Sequence, residues 1–304
     1  MPYKHRDVLH TRLREFRAQM PSCTPETWQH YSVYVAEAWE IIGPGKDPAT
    51  VTRAEIAQIT LGLRGNANTR GNKLRIIRMF LRFCGNKEAL KWRISLTPTP
   101  KVGGVFLNEE QVVIGRSAAS SLGPLEGLMY SLACDMGLRS VDMCRLTVRN
   151  ADEFLTSGGS MILGKGKNGG KLAWQKFNRS CREPLLRWLE TRSKLVGTSR
   201  EHPALLVMSK CGRLRSCSRH DTDIVFLRIS ALTGLKMTPH DGRRTFGHRL
   251  HRAGVDLETI ATLMRHDNVN TTFKSYIGIT QDELADAMDL LVPKTTSQAR
   301  KPLM

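Results

Sequence analysis

Residues 238–250 read Thr-Pro-His-Asp-Gly-Arg-Arg-Thr-Phe-Gly-His-Arg-Leu, and residues 263–276 read Leu-Met-Arg-His-Asp-Asn-Val-Asn-Thr-Thr-Phe-Lys-Ser-Tyr. The first stretch carries helical text from Gly242 to His251. Its His240 and Arg243 stand three apart, a spacing that brings two side chains together at a helix start or in a turn. The second stretch adds an imidazole, His266, and a phenol, Tyr276.

Working outward, Gly137-Leu138-Arg139-Ser140-Val141-Asp142 supplies a further arginine, with Gly137 near a helix end. Ser160 to Leu163 and Lys171 to Phe177 read as two strands around Asn168-Gly169-Gly170, residue types that tolerate the positive φ of a tight hairpin. Gly164, Gly166 and Gly169 satisfy the GxGxxG dinucleotide fingerprint. A strand follows where that motif needs a helix N-terminus, so no cofactor is expected. Cys211, Cys217 and His220 lie close in sequence but lack a CxxC pair, so no metal is expected.

The first ninety or so residues read as helices. Thr24-Pro25-Glu26 opens one that stops at Gly43-Pro44-Gly45, a second starts near Thr52, and a third runs from about Thr69 to Phe83. On the third, Leu74, Ile77, Phe80 and Leu81 make an apolar face, and Arg70, Lys73, Arg75, Arg78 and Arg82 fall between them. One side of that helix suits a core and the other suits phosphates. Residues 94–105 hold two prolines and two glycines without helical period and read as a linker. Helical text resumes after Leu107-Asn108-Glu109-Glu110, at Pro184 to Leu195, at Asp221 to Leu232 and after an Asp256 cap, and Asn270 is read as capping a short helix that carries Tyr276.

The chain has 304 residues, 46 of them Lys or Arg against 28 Asp or Glu, for a formal charge of +18. Residues 1–100 carry 16 basic and 8 acidic side chains and the remaining 204 carry 30 and 20, so both parts are drawn to a polyanion, with nucleic acid the leading candidate. No apolar run approaches the length of a membrane span, and the opening MPYKHRDVLH lacks the apolar stretch of a signal peptide, so a cytoplasmic, DNA-associated protein is expected. Seven irregularly spaced cysteines suit reduced thiols.

A phosphodiester carries negative charge on two non-bridging oxygens, and in-line attack concentrates more of it there. Two guanidiniums, Arg139 and Arg243, can meet those oxygens with forked donors. Tyrosine has an ordinary pKa of about 10, so a nucleophilic Tyr276 would need its proton removed as it attacks, and His240 is the candidate base or hydrogen-bond partner. His266 is placed to orient the phosphate.

These segments, in this order, resemble the tyrosine recombinase (phage-type integrase) family. Residues 240–246 are similar to its H-x-L-R-H-T-F box and residues 265–272 to its G-H-x-x-x-x-T-T box, which precedes the nucleophilic tyrosine. Gly137 to Asp142 is similar to its G-L-R-x-S-E box, and Gly164-Lys165-Gly166 to the G-K-G of its β-hairpin. Gly242 stands where the family usually has leucine, and Arg265 where it often has glycine.

The resemblance implies a mainly α protein with a small β-sheet or hairpin. Residues 1–93 would be a helical core-binding, DNA-binding domain and residues 106–292 an α+β catalytic domain, together clamping duplex DNA, with a flexible tail at 293–304. It implies site-specific recombination or integration of the kind that mobile genetic elements use, through a covalent 3′-phosphotyrosyl intermediate and without metal or ATP. Tyr276 would be the nucleophile, Arg139, Lys165, His240, Arg243 and His266 would complete the catalytic set, and Asp142 would buttress it. Lys165 is the family's acid for the leaving oxygen, with Lys167 and Lys171 as alternatives on the same hairpin, and both of these are also counted among the DNA-binding residues. Residues 281–291 have Leu284, Ala285, Met288 and Leu291 at helical spacing. In the family such a helix docks on a neighbouring protomer in a dimer or tetramer on DNA; packing on its own domain is the alternative. A type IB topoisomerase shares a similar catalytic set, and a DNA-binding regulator could keep the fold without the chemistry.

Overall fold

A computed structural model describes residues 4–95, 106–164, 166, 170–197 and 202–266. Tyr276, Lys165, Lys167, the Asn168-Gly169 pair, most of the 94–105 linker, the 281–291 helix and the tail at 293–304 lie outside the described residues. The chain divides into two compact units near residue 102.

The first unit is helical: α1 (Lys4–Ala18), α2 (Pro25–Ile42), α3 (Arg53–Gly62), α4 (Ala67–Phe83) and α5 (Lys87–Lys91). The Thr24 hydroxyl accepts from the Thr27 amide at the start of α2, and Gly43, at φ 103, ends it. Thr52 and Glu55 form a reciprocal capping box on α3. Helix α4 begins earlier than its sequence suggests, because the Asn66 side chain rather than Thr69 caps it. Its apolar face, Leu74, Ile77, Phe80 and Leu81, is buried against α1 and α2, with Phe80 beside Phe16 at 5.4 Å and edge-on to Trp39 at 5.6 Å. Each such side chain, fully buried, contributes about 1.5–3 kcal/mol.

The second unit comprises α6 (Glu109–Leu122), α7 (Pro124–Cys134), α8 (Ser140–Cys144), α9 (Val148–Ser157), β1 (Gly159–Gly164), β2 (Lys171–Lys176), α10 (Arg182–Val196), β3 (Val207–Lys210), β4 (Arg213–Ser216), α11 (Arg219–Thr233), α12 (Pro239–Arg252) and α13 (Leu257–Leu263). Helix α7 is its axis: every residue from Gly127 to Cys134 is buried, because α6, α10, α11 and α12 all pack on it. Its Tyr130 donates to the Val112 carbonyl at 3.0 Å, and burial drives its pKa far up, so this phenol is a core residue.

The two sheets are separate antiparallel pairs, β1 with β2 and β3 with β4. In the first, Gly159 faces Lys176 and Gly164 faces Lys171, so Gly164 and Lys171 form the mouth of the hairpin.

Two segments carry no element in the sequence reading. Between Arg139 and β1 the chain folds as α8 and α9, and Thr147 and Asn150 cap α9 reciprocally. The β3–β4 hairpin turns on Cys211 and Gly212, at φ 52 and 72, two left-handed residues of the kind that asparagine-glycine usually supplies. All seven cysteines are unpaired, and no helix among the described residues is long and apolar enough to cross a membrane.

Candidate active site

The first turn of α12 is fixed by a capping box. Asp241 accepts from the Thr238 amide and hydroxyl at 3.0 and 2.7 Å and returns its own amide to the Thr238 hydroxyl, while Arg244 donates to its other oxygen at 2.9 Å. Pro239 suits the first helical position, where no amide donor is needed. His240 and Arg243 are thereby set on the opening turns of one helix.

Arg243 is completely buried. Its guanidinium donates to the Gly137 carbonyl, to the Met264 carbonyl at 2.5 Å and to Nε2 of His266 at 2.8 Å. One side chain therefore joins three segments: the turn before Arg139, the end of α13 and the start of α12. A guanidinium has no acceptor, so Nε2 of His266 must accept, which places the proton of a neutral ring on Nδ1.

The turn before Arg139 requires glycine at 137 on two counts. Its φ is 62, and a Cβ there would overlap the Phe246 ring. Gly242, where the family usually has leucine, is explained by packing. A Cβ would meet Cys134 Sγ at 3.0 Å and Ala133 Cβ at 3.1 Å, so α12 sits too close to α7 for any larger side chain.

Arg139 precedes α8, and its amide donates to Oδ2 of Asp142 at 3.4 Å. Its side chain is 27% exposed and lies 3.7 Å from that oxygen, whereas the Asp142 side chain is wholly buried. The same Oδ2 receives a closer donor, Nη2 of Arg265, at 2.7 Å. Arg145 donates to the Gly164 carbonyl at 2.9 Å and fastens the mouth of the β1–β2 hairpin beside this group. Lys171 has an exposed side chain at that mouth.

Electrostatically the site is dominated by cations. The His240 imidazole is pushed down to about 4, first by the protein packed around it and then by Arg244 and Arg243, with Arg139 adding to the effect and Asp241 opposing it. The residue is exposed at the surface, so the guanidiniums are the firmer cause of the direction. A neutral His240 near pH 7 can accept a proton. Burial also lowers the pKa of Arg265, with Asp142 opposing and Arg139 reinforcing the shift.

The structure thus brings Arg243 and His266 into contact, sets His240 near Arg243 on the same helix, and ties the turn carrying Arg139 to Arg243. Arg265, Arg145 and Arg244 were not singled out as site residues from the sequence; the one signal was an arginine at 265 where glycine is common. Cys211 is exposed in the β3–β4 turn and Cys217 is buried. Among the described residues, no three His, Cys, Asp or Glu side chains cluster as a metal site would require.

In the first unit, the cations of α4 divide into two sets. Lys73 points inward, donating to Glu37 at 2.5 Å and to the Arg64 carbonyl at 2.9 Å. Arg70 donates to the Thr60 carbonyl at 2.5 Å, and Arg82 to the Ala89 and Leu90 carbonyls at 3.2 Å. Arg75 and Arg78 line a shallow cleft with Arg82, Met79 and Ile94.

The model of the phage integrase family matches residues 108–283, which is more than half of the chain. The chain is 26% identical to the tyrosine recombinase XerA of Thermococcus onnurineus over 270 residues, covering 88% of this chain and 89% of that protein. It is also 26% identical to XerA of Pyrococcus horikoshii over 190 residues, a match that spans only 62% of that protein's length. Among solved structures, a XerA recombinase is similar at a TM-score of 0.53 and 20% identity, covering 93% of this chain and 98% of that one. The Tn1549 transposon integrase in complex with circular intermediate DNA is similar at 0.68 and 17%, covering 92% and 99%. A lambda integrase dimer bound to a core site is similar at 0.64 and 16%, covering 90% and 78%.

Proposed function

The chain belongs to the phage integrase family, the tyrosine-type site-specific recombinases, and we propose that it cleaves and rejoins duplex DNA through a covalent 3′-phosphotyrosyl intermediate. The observation that carries this reading is the clasp made by Arg243, which ties the backbones bearing Arg139, His240 and His266 to one another. In the reaction, the Tyr276 oxygen attacks a backbone phosphorus and its proton passes to His240. The bond to the 5′-oxygen breaks, and that oxygen takes a proton from Lys165 on the hairpin, or from Lys167 or Lys171. Arg139 stabilises the charge gathering on the non-bridging oxygens, together with Arg243 where a donor of its fork turns to the phosphate. The phosphotyrosyl ester retains the energy of the broken bond, so a 5′-hydroxyl of another strand can reverse the step without ATP.

Residues 1–93 are assigned as the core-binding domain and 106–292 as the catalytic domain. Arg75 and Arg78 are the foremost phosphate contacts of α4, with Arg70 and Arg82 behind them, whereas Lys73, expected among these contacts from the sequence, is taken up by Glu37. Self-association on DNA is assigned to the helix from Leu284 to Leu291. Two of the similar solved structures are DNA complexes, one of them a dimer, which supports double-stranded DNA as the partner and a DNA-associated location.

The test uses a duplex selected from a random-sequence pool by binding to the full chain, then nicked so that a cleaved strand cannot religate. The expected result is a protein–DNA adduct that survives denaturant and is absent with Tyr276→Phe. An unchanged adduct with that variant, or none with the wild-type chain, contradicts the proposal. A plasmid assay in which supercoils relax but no two sites recombine assigns the chain to topoisomerase work instead.

A further inference from the structure

We infer that Arg265 is a positioning residue: it holds the buried Asp142 carboxylate and so keeps the Arg139 guanidinium turned toward the DNA phosphate. The inference rests on the recombinase reading above. Three observations meet at this side chain. Its backbone is left-handed, at φ 53, a conformation strained for a residue with a side chain and one that glycine adopts readily. Its side chain is only 8% exposed, and its Nε and Nη1 have no hydrogen-bond partner among the described residues, which is unfavourable for buried donors. Backbone geometry and solvation therefore both disfavour arginine here. What arginine supplies is the 2.7 Å bond to Oδ2 of Asp142.

That oxygen is the one Arg139 also approaches, from 3.7 Å. Asp142 is fully buried, and a buried carboxylate oxygen draws a nearby cation strongly. With Arg265 on Oδ2 at 2.7 Å, Arg139 stands off with more than a quarter of its side chain in solvent. Without Arg265, that oxygen is open to Arg139, which would close onto it and away from any phosphate. The pair also abuts the hairpin that carries Lys165. A Cβ on Gly164 would lie 3.5 Å from Oδ1 of Asp142 and 3.7 Å from Nη1 of Arg265.

The experiment measures single-turnover cleavage of the selected, nicked duplex by the full chain, alongside binding to the intact duplex. Arg265→Gly suits the backbone and removes only the side chain. Its cleavage is expected to fall by about 10–100-fold, the usual effect of losing a group that orients an active-site residue, while binding changes by less than about threefold. Adding Asp142→Asn removes the charge that would capture Arg139, so the double variant is expected to cleave several-fold faster than R265G alone. A residue needed only for folding gives no such rescue. Arg265→Lys, which keeps the charge, is expected to fall between wild type and R265G, and it carries the test if R265G does not fold. Wild-type rates in both R265G and R265K, or a double variant no faster than R265G, overturn the inference while leaving the recombinase reading intact. Absence of cleavage by the wild-type chain overturns that reading itself.

Discussion

Helix α4 of the first unit and the Arg139–Arg243–Arg265 group of the second are both rich in arginine, yet they use it differently. On α4, the cations all belong to one helix but turn different ways. Lys73 is drawn inward to Glu37, Arg70 and Arg82 bond to loop carbonyls, and Arg75 and Arg78 line the open cleft. In the second unit the arginines come from different segments and meet around buried acceptors: the carbonyls of Gly137 and Met264, and the carboxylate of Asp142. Cations at an open cleft suit a polyanion of any sequence, whereas buried acceptors hold a guanidinium at one place.

The contrast is tested most severely at Arg243. Arg243→Ala leaves two buried carbonyls and the His266 ring without their donor, at about 1–3 kcal/mol for each backbone acceptor. The expected outcome is a melting temperature lowered by many degrees and cleavage reduced by at least about 100-fold. Arg139→Ala is expected to slow cleavage comparably while melting close to wild type, because among the described residues its part-exposed side chain comes no nearer than 3.7 Å to the Asp142 carboxylate. Equal thermal losses in the two variants would remove the distinction between clasp and phosphate ligand.

On α4 the order reverses. Lys73→Ala leaves a mostly buried Glu37 with the Arg64 amide but without its counter-charge, and is expected to destabilise the chain by about 2 kcal/mol in chemical denaturation. Its salt dependence of DNA binding should be unchanged. The Arg75→Ala/Arg78→Ala pair is expected to leave stability within about 0.5 kcal/mol and to lower the slope of log affinity against log salt by about 2. A Lys73 variant that changes the slope without loss of stability would show that this lysine faces DNA.

A smaller effect is expected at His240. Its pKa is pushed down to about 4 in the folded chain, against an ordinary value near 6.5. Between those values the unfolded chain binds more protons, so the folded state loses stability as pH falls through that window and gains none from this group above it. Cleavage that depends on a neutral His240 is expected to stay level from pH 8 to pH 6 and to fall only toward pH 4. A half-maximal rate at pH 6.5 would contradict the depressed value.

Much of the fold could be read from caps. Thr24, Thr52 and Asp256 each begin a helix at the position their side chains mark, since each supplies an acceptor to an otherwise unpaired amide. Helix α12 starts three residues before the Gly242 read from the sequence, because Thr238 caps it. Helix α9 was obscured because its capping partner for Thr147 is Asn150 rather than the more familiar glutamate. The β3–β4 hairpin was hidden by a cysteine in a left-handed turn position. Of the site, the sequence offered candidates to meet a phosphate but not the arginines, Arg265, Arg145 and Arg244, that the structure places around them. Arg265 stood out only as an arginine where glycine is usual. Its left-handed backbone shows why glycine suits that position, and its 2.7 Å contact with Asp142 shows what the arginine does there.

The most direct measurement is peptide mapping of the denaturant-resistant adduct formed on the nicked duplex. A nucleotide phosphate attached to the peptide containing Tyr276, with a 5′-hydroxyl left on the departing strand, is the expected result. A phosphate on any other residue, or a cleaved strand ending in a 5′-phosphate, would contradict a 3′-phosphotyrosyl recombinase.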